Sequence, residues 1–212
     1  MSNSPISVLE ARWWSTGNHS VRDLFSAISA IHYNNPSASL YDMFADKHSL
    51  GAVLTVRACD KQTEVLYLAT HGDQNNIGAS GNNVISRTEF RNQLAGANPN
   101  GQIKGLYLGT CLTGNLQTAQ FLFDAQTHLT WIAGYRDSVD WIDGSAIDMI
   151  FFHKLTSLYI KNKSKRKGKL TPEQVAHNAA SEMLKLIPGA HTTYGFNMYF
   201  KSNGNAVQAM FL

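Results

Sequence analysis

The amino-acid sequence predicts an α/β fold in which a mainly parallel central sheet is covered by helices on both faces. Three observations carry that expectation. Strand-like apolar runs alternate with helix-like periodic segments through most of the chain, the pattern that builds parallel sheets. The runs VLYLA (65–69) and GLYLG (105–109) carry no charge and no alternation, as strands covered on both sides do. The length of 212 residues and a hydrophobic content of 43% suit a single domain, residues 1–212, with a sizeable core.

Ile6 to Trp13 reads as the first strand. Ser20, with Asp23 three residues on, reads as a helix N-cap before Val21, Leu24, Phe25, Ile28 and Ile31 at helical spacing. Residues 34–50 are turn-rich. Ala52–Ala58 and Val65–Thr70 are short β-branched or apolar runs joined at Asp60–Thr63, and read as two strands. Residues 72–84 hold three Gly and four Asn and read as a loop.

Ser86 and Glu89 form a capping-box pattern that opens a short helix, ended at Asn98–Gly101. Ile103–Gly109 is a strand. Leu116, Ala119, Leu122 and Phe123 mark a helix, and Leu129–Tyr135 a further strand. Ile147, Ile150, Phe151, Leu155 and Leu158 form one face of a long helix. Thr171, Pro172 and Gln174 open the next, with Val175, Ala179, Met183 and Leu186 inward. The end, His191 to Leu212, reads as a hairpin about Ser202–Asn205.

The charge is concentrated. Residues 161–169 (KNKSKRKGK) hold six of the 18 basic residues, so the net +3 becomes −3 without them. This run reads as a basic loop between the last two helices, either a solvated connector or a contact for an anionic surface. It lacks the interleaved aromatics of a single-strand platform, and nucleic acid is not favoured as a partner. No apolar run is long enough for a membrane span, and no secretory signal is visible. Two cysteines, Cys59 and Cys111, make no disulfide framework, which fits a reducing cytoplasm. No HExxH, CxxC, GxGxxG or GxxxxGK[ST] pattern occurs, so neither a metal nor a nucleotide cofactor is expected.

In open α/β sheets, sites lie beyond the carboxyl ends of the strands. Two places stand out: Thr70-His71-Gly72 after VLYLA, and Gly109-Thr110-Cys111 after GLYLG. One helix separates the two strands, so they run parallel, and strands joined this way are often neighbours, roughly 4.8 Å apart. The imidazole and the thiol then emerge at the same edge. A free thiol titrates near about 8.5, and a neighbouring imidazole can take its proton to give a nucleophile for acyl transfer. The N–H groups of Gly72 and Cys111 are candidates to face the developing oxyanion.

The blocks LYLATHG and GLYLGTC resemble the caspase-like cysteine peptidases, a superfamily that includes caspases, metacaspases, separases and the bacterial CHAT-domain peptidases. The order of elements is similar too, over about residues 5–200. The resemblance implies a three-layer α-β-α sandwich and a cysteine-type endopeptidase acting on protein or peptide substrates. His71 is then the general base, Cys111 the nucleophile, and Gly72 the oxyanion donor beside the Cys111 amide. A regulatory protein partner is admitted by the same resemblance. Caspases carry Gln-Ala-Cys, and metacaspases carry Asp two places before the Cys. This chain has Gly109-Thr110-Cys111, so neither substrate preference carries over, and the bacterial CHAT-like pattern is the nearest. Residues 112–128 are too short and apolar for a processing linker.

The segment after the next strand, Arg136-Asp137-Ser138-Val139-Asp140-Trp141, is the place for a specificity pocket in that family. Arg136 would favour an acidic substrate residue, Asp137 or Asp140 a basic one, unless they pair with each other. Trp141 is a pocket wall or, preferably, core. Two other readings stand beside the peptidase. A Cys amidohydrolase with a nucleophile elbow would take His191 as base, but its second Gly position is Thr113. A non-catalytic binding module would use the basic loop.

Overall fold

Five of the seven strands of the main sheet run parallel because a helix between each one and the next returns the chain to the same end. The computed structural model describes residues 3–12, 14, 16–73, 75–78, 84–202 and 207–211. The parallel strands are β1 (Ile6–Ala11), β2 (Leu40–Phe44), β3 (Val65–Ala69), β7 (Gly105–Gly109) and β8 (Trp131–Tyr135). Two antiparallel strands, β9 (Phe196–Lys201) and β10 (Val207–Ala209), complete the sheet in the order β10-β9-β8-β7-β3-β1-β2. The pairing of β9 with β10 agrees with the expected hairpin; of the turn expected about Ser202–Asn205, residues 203–205 lie outside the described residues.

Alternate strand residues point to opposite faces, and each face is buried by its own helices. Val65, Tyr67 and Ala69 of β3, with Tyr107, Trp131 and Tyr135, pack against helices α1 (Arg22–Tyr33), α5 (Trp141–Ser164) and α6 (Pro172–Leu186). Leu66 and Leu68, with Leu106, Leu108 and Ile132, pack against α2 (Lys47–Cys59), α3 (Arg87–Ala97) and α4 (Leu116–Phe123). The result is the expected three layers. At roughly 1.5–3 kcal/mol for each fully buried large apolar side chain, these two cores dominate stability.

Four expectations are corrected. Ala52–Ala58 is helix, not strand, and belongs to α2. Asp46 Oδ1 accepts the Ser49 N–H at 2.8 Å and Ser49 Oγ accepts the Asp46 N–H at 3.0 Å, a capping box that starts the helix before the β-branched run. Leu50 and Leu54, four apart, then bury one face, and this overrides the weak strand preference of Val53, Thr55 and Val56. The strand is instead β2, in the turn-rich stretch. Ser20 is not the cap of α1. Val21 occupies that position, and the buried Glu10 carboxylate takes its N–H at 3.0 Å and the Ser20 hydroxyl at 2.6 Å, a negative group at a helix N-terminus. The basic run is only half loop: Lys161 and Lys163 lie in the last turn of α5, which favours cations.

Fourth, the described part of 72–84 is not all loop. His71–Gly72 (β4), Asn76–Gly78 (β5) and Val84–Ser86 (β6) form a small antiparallel sheet. Ile77 and Ile85 anchor it in the α2–α3–α4 core. A four-residue helix, α7 (Gly189–Thr192), precedes β9. Among the described residues no helix is long and apolar enough to cross a membrane.

Candidate active site

β3 and β7 are hydrogen-bonded neighbours in register, with Ala69 opposite Gly109. His71 and Cys111 each lie two residues beyond those partners, at the carboxyl edge of the sheet. The sheet reverses its strand order between β1 and β3, so this edge is next to the switch point where α/β sheets leave a crevice. His71 is exposed and Cys111 half-buried. Both line one cavity of about 110 Å³, smaller than the roughly 300 Å³ at which drug-sized ligand sites begin. It suits one side chain.

The chain geometry around the pair is tight. A Cβ on Gly72 would stand 2.8 Å from the Cys111 carbonyl oxygen and 2.8 Å from Thr113 Cγ2. The His71–Gly72 strand thus lies directly against the Cys111 turn, at a distance only glycine allows. Leu112 follows the cysteine with φ of 65°, a left-handed conformation that costs a non-glycine residue about 1–2 kcal/mol. Two backbone bonds hold it: Leu112 N–H to Asp137 O at 3.4 Å and Gly114 N–H to Tyr135 O at 2.9 Å. They tie the cysteine turn to the segment after β8. The Cys111 thiol points there as well, with Sγ 3.6 Å from Val139 O and 4.0 Å from Ser138 Oγ.

The floor of the cavity holds a buried acid. Asp148, on the inward face of α5 and 3% exposed, accepts hydrogen bonds from three tyrosine hydroxyls. Tyr67 reaches Oδ2 at 2.6 Å, Tyr135 reaches Oδ1 at 2.6 Å, and Tyr107 also bonds Oδ1. Burial pushes Asp148 up to about 6, against the pull of the three hydroxyls, and burial with the nearby carboxylate holds the tyrosines well above their ordinary value.

The other expected residues fall in different places. Asp140 lines the cavity and caps α5, its Oδ1 accepting the Ile142 N–H at 2.8 Å. Arg136 and Asp137 are not among the lining residues. They pair with each other at 3.3 Å across the solvent-exposed surface. Trp141, expected preferentially as core, is 37% exposed and forms part of the cavity wall. The elbow alternative has no geometric support. His191 stacks on Phe211, its Nδ1 lies 2.8 Å from Phe196 O, and it does not line the cavity. His32 and His153 meet each other at 2.9 Å on the far side of α1 and α5. Cys59 is exposed at the end of α2. No group of three or more metal-ligating side chains occurs among the described residues.

No protein-family model and no curated protein matches this chain. What the chain does is therefore to be read from the cavity itself.

Three of its residues were not legible as site residues in the sequence. Tyr67 is hidden inside a strand run that reads as plain core. Thr70 falls in the block that marks the histidine's strand end, but nothing in its sequence position shows that its hydroxyl is buried in the cavity. Asp148 did leave a signal: it is the one charged residue at the i, i+3, i+4 positions shared with Gly144, Phe151 and Phe152 on the buried face, and a buried charge is seldom structural filler.

Proposed function

We propose that this chain is a cysteine-type endopeptidase in which Cys111 is the nucleophile and His71 its general base. The observation that carries this reading is that the two side chains, forty positions apart, line one side-chain-sized cavity at the ends of adjacent, in-register parallel strands. Imidazole beside thiol, at the open edge of a rigid sheet, is the arrangement acyl transfer needs.

The steps follow from the residues. The His71 imidazole takes the proton from Cys111 Sγ. The thiolate attacks the scissile carbonyl carbon, whose π electrons move onto oxygen. The Cys111 N–H has no acceptor among the described residues and, with the Gly72 N–H, is assigned to that oxyanion. Collapse re-forms the carbonyl and breaks the C–N bond. The leaving amine takes the proton from the imidazolium, and a thioester remains. His71 then deprotonates a water that attacks the thioester, releasing the acid product and returning the proton to sulfur.

Digestion of a proteome-derived peptide library tests the reading. Wild-type protein should generate new termini with a shared residue at the cut, and Cys111→Ala, folded by circular dichroism, should generate none. Cleavage retained by Cys111→Ala would overturn the assignment.

A further inference from the structure

The cavity beside Cys111 has a definite chemical sign. Apart from His71, the charged side chains that line it among the described residues are Asp140 and Asp148, with no Lys or Arg among them. A third acid, Glu10, lies fully buried at the N-terminus of α1, close enough for its charge to act on Tyr67 of the cavity wall. Tyr67, Tyr135 and Trp141 supply aromatic surface, which attracts a cation through the ring quadrupole. Val21, Ala69 and Val139 supply aliphatic surface against which the methylene stem of a long cationic side chain can lie.

Two polar groups in the cavity have bonding capacity to spare. Asp148 Oδ1 accepts two tyrosine hydroxyls but Oδ2 accepts one, so of the roughly four lone-pair sites of a carboxylate one on Oδ2 is unused. Thr70 Oγ1 is buried with no partner among the described residues, and Thr70 lines the same cavity. A buried polar group left unmatched is costly, and both of these suit an incoming N–H donor. An apolar side chain would leave both unmatched. An acidic one would face two carboxylates.

We propose that this cavity is the specificity pocket for a basic residue, Lys or Arg, at the substrate position whose carbonyl is cleaved, and that Asp148 is the side chain that selects it. The inference rests on the reading of Cys111 as nucleophile. It also accounts for Gly109, two residues before the cysteine. A Cβ there would lie 2.5 Å from Tyr67 Cζ, so the tyrosine ring fills the space a larger residue would take and carries its hydroxyl to Asp148. The acidic group enters from α5 rather than from the cysteine strand. At pH above about 6 the carboxylate is ionised and, among the described residues, its hydrogen-bond partners are hydroxyls, and an ammonium or guanidinium supplies the missing countercharge.

Three peptidyl chloromethyl ketones, identical except for Lys, Leu or Asp beside the reactive ketone, test this on the intact chain at pH 7.5. The rate of Cys111 alkylation is read by mass spectrometry, with iodoacetamide as a reagent that ignores the pocket. The Lys compound should react at least about thirtyfold faster than the other two, and Asp148→Asn should bring its rate to within about fivefold of the Leu compound. The wild-type comparison stands even if that variant fails to fold. Equal rates for the three ketones, with iodoacetamide still modifying Cys111, would overturn the pocket assignment and leave the nucleophile standing. Failure of all four reagents at Cys111 would overturn both. A Lys preference undiminished in folded Asp148→Asn would remove Asp148 from the role.

Discussion

Replacing Gly109 by Ala adds one methyl group at the most crowded point of the cavity wall. Its Cβ would lie 2.5 Å from Tyr67 Cζ and 2.9 Å from Cε2, where ordinary carbon contacts begin near about 3.5 Å. The ring would have to move by about 1 Å. It is wedged between Phe25, Tyr107 and Phe152, with ring centroids 4.8, 5.4 and 5.3 Å away, and its hydroxyl is held by Asp148 at 2.6 Å. Overpacking of a dense core costs about 1–3 kcal/mol, and loss of a hydrogen bond to a charged group about 1.5–3 kcal/mol. The sum expected for Gly109→Ala is about 2.5–6 kcal/mol, read from the urea midpoint at unchanged slope. Tyr67→Ala alone should cost about 3–5 kcal/mol as a large-to-small change. In that background Gly109→Ala should cost less than about 1 kcal/mol, because the obstructing ring is gone. A single-variant cost below about 1 kcal/mol, or costs that simply add in the double variant, would refute the packing argument.

Two further outcomes follow from buried polar groups. Asp148 titrates near about 6 in the folded chain and near about 4 when unfolded, so the folded state binds the extra proton between those values. Its contribution is fully present below about pH 4 and is lost as pH rises through about 6, with a fall of about 3 kcal/mol at most. The difference in unfolding free energy between wild type and Asp148→Asn should shrink or change sign across that window, and a pH-independent difference would contradict it. Asn98 is 1% exposed and ties two segments together: its Nδ2 donates to Ile103 O at 2.9 Å and Thr127 O at 2.8 Å, and its Oδ1 accepts the Ile103 N–H at 3.0 Å. Asn98→Ala leaves three backbone groups unmatched and should cost about 3–5 kcal/mol in urea. A cost under about 1 kcal/mol would show that water replaces the amide.

The sheet was legible because fully apolar runs such as VLYLA and GLYLG have one stable environment, the middle of a covered sheet. The capping boxes at Ser86 and Thr171 were legible for the same reason: Ser86 with Glu89 and Thr171 with Gln174 are satisfied locally, as both helices show. Where the decisive partner is distant in sequence, the local reading fails. Ser20 resembles a cap, but the carboxylate that meets the helix start is ten residues back, on β1. Ala52–Ala58 resembles a strand, but the Asp46–Ser49 box and the burial of Leu50 and Leu54 decide for helix. The site divides along the same line. The edge positions of His71 and Cys111 follow from strand order and register. Asp148 joins them only because α5 crosses the β3–β7 face, which no local pattern encodes. The pairing of Arg136 with Asp137, by contrast, was open to a local reading, since neighbours of opposite charge often satisfy each other.

The central claim is that the His71 imidazole controls the Cys111 thiol, and Cys59 provides an internal reference for it. Iodoacetamide alkylation at pH 7 can be followed at both cysteines in wild type and in His71→Ala. If the imidazole acts as base, half-buried Cys111 should react faster than exposed Cys59 in wild type and slow at least about tenfold in the variant, with Cys59 unchanged. Equal, slow alkylation of Cys111 in both proteins would contradict the account.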